Sequence, residues 1–395
     1  MRSIHIPAEP TPPGQPHPLL RLGFRPFYLL AAGLAVLSVP LWMAAYKGHL
    51  GALPNVGLLW HMHEMVFGFA IAVIVGFLFT AGRNWTNLPT PQGGALAALA
   101  ALWLAGRAAM LLAPGLPALL VDGAFLPVCA LLFGRVLVLA RSTRNYPILA
   151  ILGLLSLANL LFHAAALGWI ALSPLAPVHG AILLVTVLEA VIGGRVIPMF
   201  TRNGAPGSQP VSLAWRDKAS IALLAATALA WTAGAPAALT AALAFGAAIV
   251  NGARLLGWAP LATLRVPLLW ILHLAYAWIV AGLLLLGFAA LGIGSASSAF
   301  HALAVGGMSG LILGMMTRTA LGHTGRMLLA GRAESAMYLL LQAGAVARLC
   351  ANIVPHGARE ALLGGSALAW SAAFLLYLVV YAPYLGRARV DGREG

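Results

Sequence analysis

The chain has 395 residues, of which 61% are hydrophobic and 8% charged, against roughly 45–50% and 25% in soluble domains. That balance excludes a water-soluble globule. A formal net charge of +14 would suit nucleic acid if the basic residues were gathered in a patch, but they lie one or two per loop, which excludes that partner and turns the charge into a topology signal.

In chain order, the Pro-rich stretch from Pro7 to Pro18 lacks an apolar run and a small-residue cleavage site. Residues 1–20 therefore read as a disordered cytoplasmic tail with no signal peptide. A membrane span needs about 20 mostly apolar residues. Gly, Pro and Arg punctuation places spans near 27–46, 60–81, 95–113, 117–140, 147–170 and 176–200, then near 218–233, 236–255, 266–290, 297–318, 334–354 and 360–386. A short cytoplasmic tail, 389–395, follows. With the N-terminus in the cytoplasm, 19 of the 23 Lys and Arg residues fall on the cytoplasmic side, the exceptions being Lys47, Arg107, Arg348 and Arg359. Positive-inside asymmetry of that size fixes the orientation. The expected fold class is all-α: residues 21–388 form one polytopic membrane bundle of about twelve helices, both termini cytoplasmic. Cys129 and Cys350 stand apart in apolar stretches without a CxxC or CxxCH motif and read as buried thiols.

The spans suggest three four-helix repeats, 21–140, 141–260 and 261–388. Spans one, five and nine open on Arg then Pro (Arg25-Pro26, Arg144 with Pro147, Arg265 with Pro267), and the following span in each unit carries a His near its outer end: His63, His179 and His301. His63 and His301 share glycines at plus five and plus thirteen, Gly68 and Gly76 against Gly306 and Gly314. The middle unit breaks the pattern, with Gly193 and Gly194 in other positions and no counterpart of Arg107 and Arg348.

Ionisable side chains are costly in hydrocarbon, so each is a functional candidate. His61, His63, His163, His179 and His301 fall at one outer level, joined by Glu64, Asp122, Arg107 and Arg348; only His273 and Glu189 lie deeper. Five imidazoles at one level point to a bound metal group rather than a transport track, because neutral imidazole is a ligand of copper, iron and zinc. His61 and His63 are about 200° apart on a helix. One metal takes both only if residues 60–64 are not helical. His63 and His301, at matched positions, are the expected axial pair for a non-covalent haem, with Arg107 and Arg348 facing its carboxylates; the competing reading pairs these arginines with Asp122 or Glu64. His61, His163 and His179 are the expected copper ligands. Glu64 and Glu189 are candidates for a proton path, with a packing role as the alternative for Glu189.

Four stretches, Leu22-Gly-Phe-Arg-Pro-Phe27, His61-Met-His-Glu-Met-Val-Phe-Gly-Phe69, Gly193-Gly-Arg-Val-Ile-Pro-Met-Phe-Thr-Arg-Asn203 and Gly314-Met-Met-Thr-Arg-Thr-Ala-Leu-Gly-His-Thr-Gly-Arg326, resemble the NnrS family of bacterial membrane proteins. The resemblance implies a haem- and copper-containing protein of the inner membrane, tied to denitrification and nitric oxide tolerance. Nitric oxide is then the expected small-molecule ligand, beside membrane lipids, and is handled either by redox conversion or by keeping it from other metal centres. Any redox step needs an electron donor that the sequence does not name. Arg195, Arg318 and His323 belong to the motifs, with roles left open. Three four-helix arcs with His on helices two, six and ten are also similar to the catalytic subunit of haem-copper oxidases, although span seven lacks the His pair that would hold copper there. The rival function is a twelve-helix secondary transporter of an anionic substrate.

Overall fold

The computed structural model describes residues 16–393. It contains twelve long helices and, among the described residues, no strand: α1 (Phe24–Tyr46), α2 (Leu58–Thr86), α3 (Gly94–Leu112), α4 (Leu116–Leu139), α5 (Tyr146–Ala166), α6 (Leu175–Gly204), α7 (Ala214–Thr232), α8 (Ala237–Gly257), α9 (Pro267–Ala290), α10 (Ala296–His323), α11 (Arg332–Cys350) and α12 (His356–Leu385). Most of the stretch read as an N-terminal tail, 1–15, lies outside the described residues. Its end is anchored: Pro18–Leu20 forms a single 3-10 turn, and the Leu20 carbonyl accepts a hydrogen bond from the Gly93 N–H at 2.8 Å.

Among the described residues, ten helices are long and apolar enough to cross a membrane, which makes this a multi-pass membrane protein. The other two, α7 and α11, have 19 residues each. They fall short because α7 opens on Arg216, Asp217 and Lys218, and α11 carries Arg332, Glu334, Gln342 and Arg348. Both still stand in the wall of the bundle, α7 against α6 and α8, α11 against α10 and α12.

Successive helices pack as neighbours around the bundle, and α12 returns to α1 to close it. Burial separates an inner set from this wall. In α2, α6 and α10, 78%, 67% and 78% of the most apolar stretch lies buried, against 28–56% in the other spans. These inner helices are the second members of the three expected units. Lipid cannot accept backbone hydrogen bonds, so polar groups must find partners inside the protein. At the seam, Arg25 is fully buried and donates from Nη1 to the carbonyls of Leu385 and Arg387, both at 2.7 Å. In the second unit, Arg254 binds Asp217, Ser220, Tyr276 and the Ala190 carbonyl at 2.7–3.1 Å. That one guanidinium fastens α6, α7, α8 and α9 together.

Two helices depart from α geometry, and at matched places. A π-helical segment, Glu64–Ala70, follows His63 in α2, and another, Ala302–Met308, follows His301 in α10. Such a segment holds one extra residue in its turn, which frees carbonyls and re-aims side chains. In α2 the Gly68 carbonyl, which accepts from the Ile71 N–H, also accepts from Trp103 Nε1 at 3.2 Å. The middle unit, whose sequence broke the pattern, keeps α6 regular from Leu175 to Gly204.

Candidate functional site

Residues 58–63 are helical, so His61 and His63 point to opposite sides, as a separation of about 200° requires. Each joins a different group of side chains. No single metal takes both.

His63 turns toward α3, α4 and α5. There the last turns of α3 and α5 meet the first turns of α2 and α4, bringing Arg107, Asp122, Asn159 and His163 around it, all buried. His63 Nδ1 lies 3.2 Å from Glu64 Oε1, and its Nε2 lies 2.9 Å from Asn159 Oδ1 and 3.2 Å from Asp122 Oδ2. His163 Nε2 is 2.9 Å from the same Asp122 oxygen, to which Asn159 Nδ2 donates at 2.9 Å. Arg107 donates from Nη1 to Glu64 at 2.8 Å and pairs through Nη2 with Asp122. A buried guanidinium removed from water is tolerable only with such partners. Of the two readings of Arg107, the structure builds the pair with Asp122 and Glu64. Glycines admit these groups: a Cβ at Gly68 would stand 2.8 Å from the Arg107 guanidinium and 2.7 Å from Leu34.

His61 turns the other way. Its ring stacks on Trp42 of α1 at 5.2 Å between centroids, with planes 12° apart. His179, in the first turn of α6, stacks on Phe300 of α10 at 3.9 Å and 3°. His301 follows Phe300, on which His179 stacks, and Ser297, one turn before His301, accepts from Arg348. The His301 Nδ1 is 2.7 Å from the Ser297 carbonyl, which leaves Nε2 as the free nitrogen, and His61 Nδ1 is buried without a partner. Arg348 donates to two neutral side chains, Asn352 at 3.1 Å and Ser297 at 3.1 Å. The N-terminal ends of the three inner helices thus present imidazoles beside a guanidinium whose side-chain hydrogen bonds go to Asn352 and Ser297.

This geometry regroups the expected ligands. His63 and His301 belong to separate sets, and His163 sits with His63 rather than with His61 and His179. Among the described residues, His63, Asp122 and His163 are the one group of three His, Cys, Asp or Glu side chains whose ligand atoms lie within 4.8 Å of one another. The shared glycine spacing has a different occupant than a haem ring: Gly306 lies flat against the Trp278 indole, whose Nε1 donates to Gln342 at 2.6 Å.

The deeper residues stand elsewhere. Glu189 lines an apolar cavity of about 90 Å³ between α1, α2, α6, α9 and α10, one carboxylate oxygen buried without a partner. His273 is held by the Leu269 and Trp258 carbonyls and Thr201. The other motif residues tie helices together: Arg195 donates to Asn145 and the Arg144 carbonyl, Arg318 lies 3.8 Å over the Phe200 ring, and His323 packs 5.5 Å from Phe24 while its carbonyl accepts from Arg389. Asn159 and Asp122 matter more than the sequence reading allowed. Their signal was available, since His163 and Asn159 stand four apart on one face of α5, the spacing at which both reach one partner.

The family model described as NnrS protein matches residues 18–389, nearly the whole chain. No curated protein matches it. The match covers both imidazole groups, the π-helical segments and the motifs around Arg195 and Arg318 in one unbroken stretch, and the chain belongs to the NnrS family.

Proposed function

We propose that this protein handles nitric oxide in the bacterial inner membrane at a metal group held by the outer ends of α2, α6 and α10. The observation that carries the reading is that His61, His179 and His301 stand one on each inner helix, where residues 58–63 pack against α6 and where His179 stacks on Phe300 beside His301 and Arg348. Of the two groups that the family resemblance implies, haem fits this end. His301 has its Nδ1 against a backbone carbonyl, the arrangement that orients a metal-ligating imidazole through its other nitrogen. His61 supplies a second nitrogen that lacks a protein partner, Trp42 and Phe300 give flat apolar faces, and Arg348 is available to a propionate. A bound haem would supply an iron to which a diatomic gas can bind.

The chain's own residues do the rest. Ser297 and Trp42 hold the two imidazoles in orientation, and the aromatic and aliphatic surroundings keep water away. Nitric oxide, small and uncharged, reaches this level through the lipid. Copper would compete for the same three imidazoles. The expected copper trio of His61, His163 and His179 is divided between the two groups, so its members do not support one copper ion together. The rival reading, an anion transporter, loses support from Arg107, which two carboxylates already neutralise.

The test is an absorption spectrum of the purified protein with and without the His301→Ala substitution. The wild type is expected to show a Soret band that the variant loses or shifts, together with reduced protection of cells against nitric oxide. A wild-type protein carrying no haem after expression with ample haem supply would refute the reading.

A further inference from the structure

The second imidazole group is not needed for the reading above, yet it is the better formed of the two. We propose that His63, His163 and Asp122 form a binding site for a divalent first-row transition ion, separate from the outer ends of α6 and α10.

The distances support this first. Asp122 Oδ2 lies 3.2 Å from His63 Nε2 and 2.9 Å from His163 Nε2. Ligand atoms about 2.1 Å from a metal and at right angles to each other stand about 3.0 Å apart. The pairs are therefore spaced as neighbouring ligands around one ion. Two imidazoles and one carboxylate on a single face form the 2-His-1-carboxylate set, which leaves other positions open and suits Fe(II) and related divalent ions. The group contains no thiolate or thioether, so it does not favour Cu(I).

The surroundings support it next. Glu64 sits on the Nδ1 side of His63, and Arg107 holds Glu64 in turn. A carboxylate on the far nitrogen is the usual outer partner of a metal-bound imidazole, placing the proton on Nδ1 and the lone pair on Nε2. With that tautomer, the His63 Nε2 lone pair faces the oxygens of Asn159 and Asp122, and a cation between them would bridge all three. Asn159 keeps its oxygen toward His63, because its Nδ2 already donates to Asp122.

Charge supports it last. Glu64 and Asp122 carry two negative charges against one positive charge on Arg107, and Glu64 Oε2 is buried without a hydrogen-bond partner. With neutral imidazoles the two carboxylates outnumber the one guanidinium, and a divalent ion carrying a hydroxide or another monoanion in an open position would bring the group to neutrality.

The test uses the full-length protein in detergent and Co(II) alone as the probe, read by elemental analysis after desalting and by visible absorption. The wild type is expected to retain one equivalent. Asp122→Asn, nearly isosteric, and His163→Ala should lower retention at least about tenfold, and Glu64→Gln should weaken apparent affinity about 10- to 100-fold. His301→Ala should leave Co(II) retention unchanged. A wild type that retains none, or variants that retain as much as the wild type, would show a hydrogen-bonded network without a metal and overturn the proposal. So would loss of Co(II) in His301→Ala, which would mean one shared site. If the variants do not fold, X-ray absorption of the cobalt-loaded wild type decides. Two imidazoles with oxygen ligands support the site, and sulfur or water-only ligation contradicts it.

Discussion

Arg107 shows how one residue can be read correctly and assigned too soon. Its depth in α3 marked it as functional from sequence, and both of its roles, facing a haem carboxylate or pairing with Glu64 and Asp122, were visible in the residue types. Which role wins depends on helix rotation across α2, α3 and α4, and no periodicity along one chain segment encodes that. The same holds for His163, whose depth was legible while its partner was not. The opposite directions of His61 and His63 were legible, because 3.6 residues per turn fixes them within one helix. Replacing Arg107 by Met should destabilise the protein by about 3–5 kcal/mol, since it leaves two buried carboxylates without a counter-charge. Denaturant or thermal unfolding in detergent measures this, and an unchanged midpoint would mean that the pair does not form. A compensated variant, Arg107→Met with Glu64→Gln, should recover part of the loss.

At the scale of helices, the sequence reading placed all twelve segments and misjudged mainly where the inner ones end. The expected spans 60–81, 176–200 and 297–318 continue to Thr86, Gly204 and His323. Arginine reads as a stop in the sequence, but Arg202 and Arg318 are bound by the protein itself, Arg202 to the Pro210 carbonyl and Arg318 to the Phe200 ring, so the helices run on. The π-helical segments were not foreseen. Their trace in the sequence is the shared glycine at plus five, which permits the close packing of Arg107 of α3 against α2 and of Trp278 of α9 against α10. Gly306→Ala should therefore cost about 1–3 kcal/mol by overpacking against the indole and should alter Trp278 fluorescence. Gly153→Ala on α5, where the added methyl meets open space, is the control and should be neutral. Equal stability of both variants would count against the packing described for α10.

At the scale of the molecule, the Arg-Pro openings and the histidines near the starts of α2, α6 and α10 are legible in the sequence, and the structure buries these three helices most. What closes the bundle was not legible, because Arg25 meets partners some 360 residues away. Arg25→Ala should loosen the seam between α1 and α12 and raise amide exchange in the last turn of α12 by about tenfold or more; unchanged exchange would place the seam's stability elsewhere. Positive-inside asymmetry further predicts that cysteines introduced at 206–209 and 327–330 label from the cytoplasmic side alone. Labelling from outside would invert the bundle and move both imidazole groups to the cytoplasmic face.

The central claim is that two histidines, two positions apart on one helix, serve different cofactors. Haem and non-haem metal content measured side by side in His61→Ala and His63→Ala tests it most directly. The account predicts that His61→Ala loses haem and keeps the divalent ion, while His63→Ala loses the ion and keeps haem. Loss of the same cofactor in both variants would contradict it.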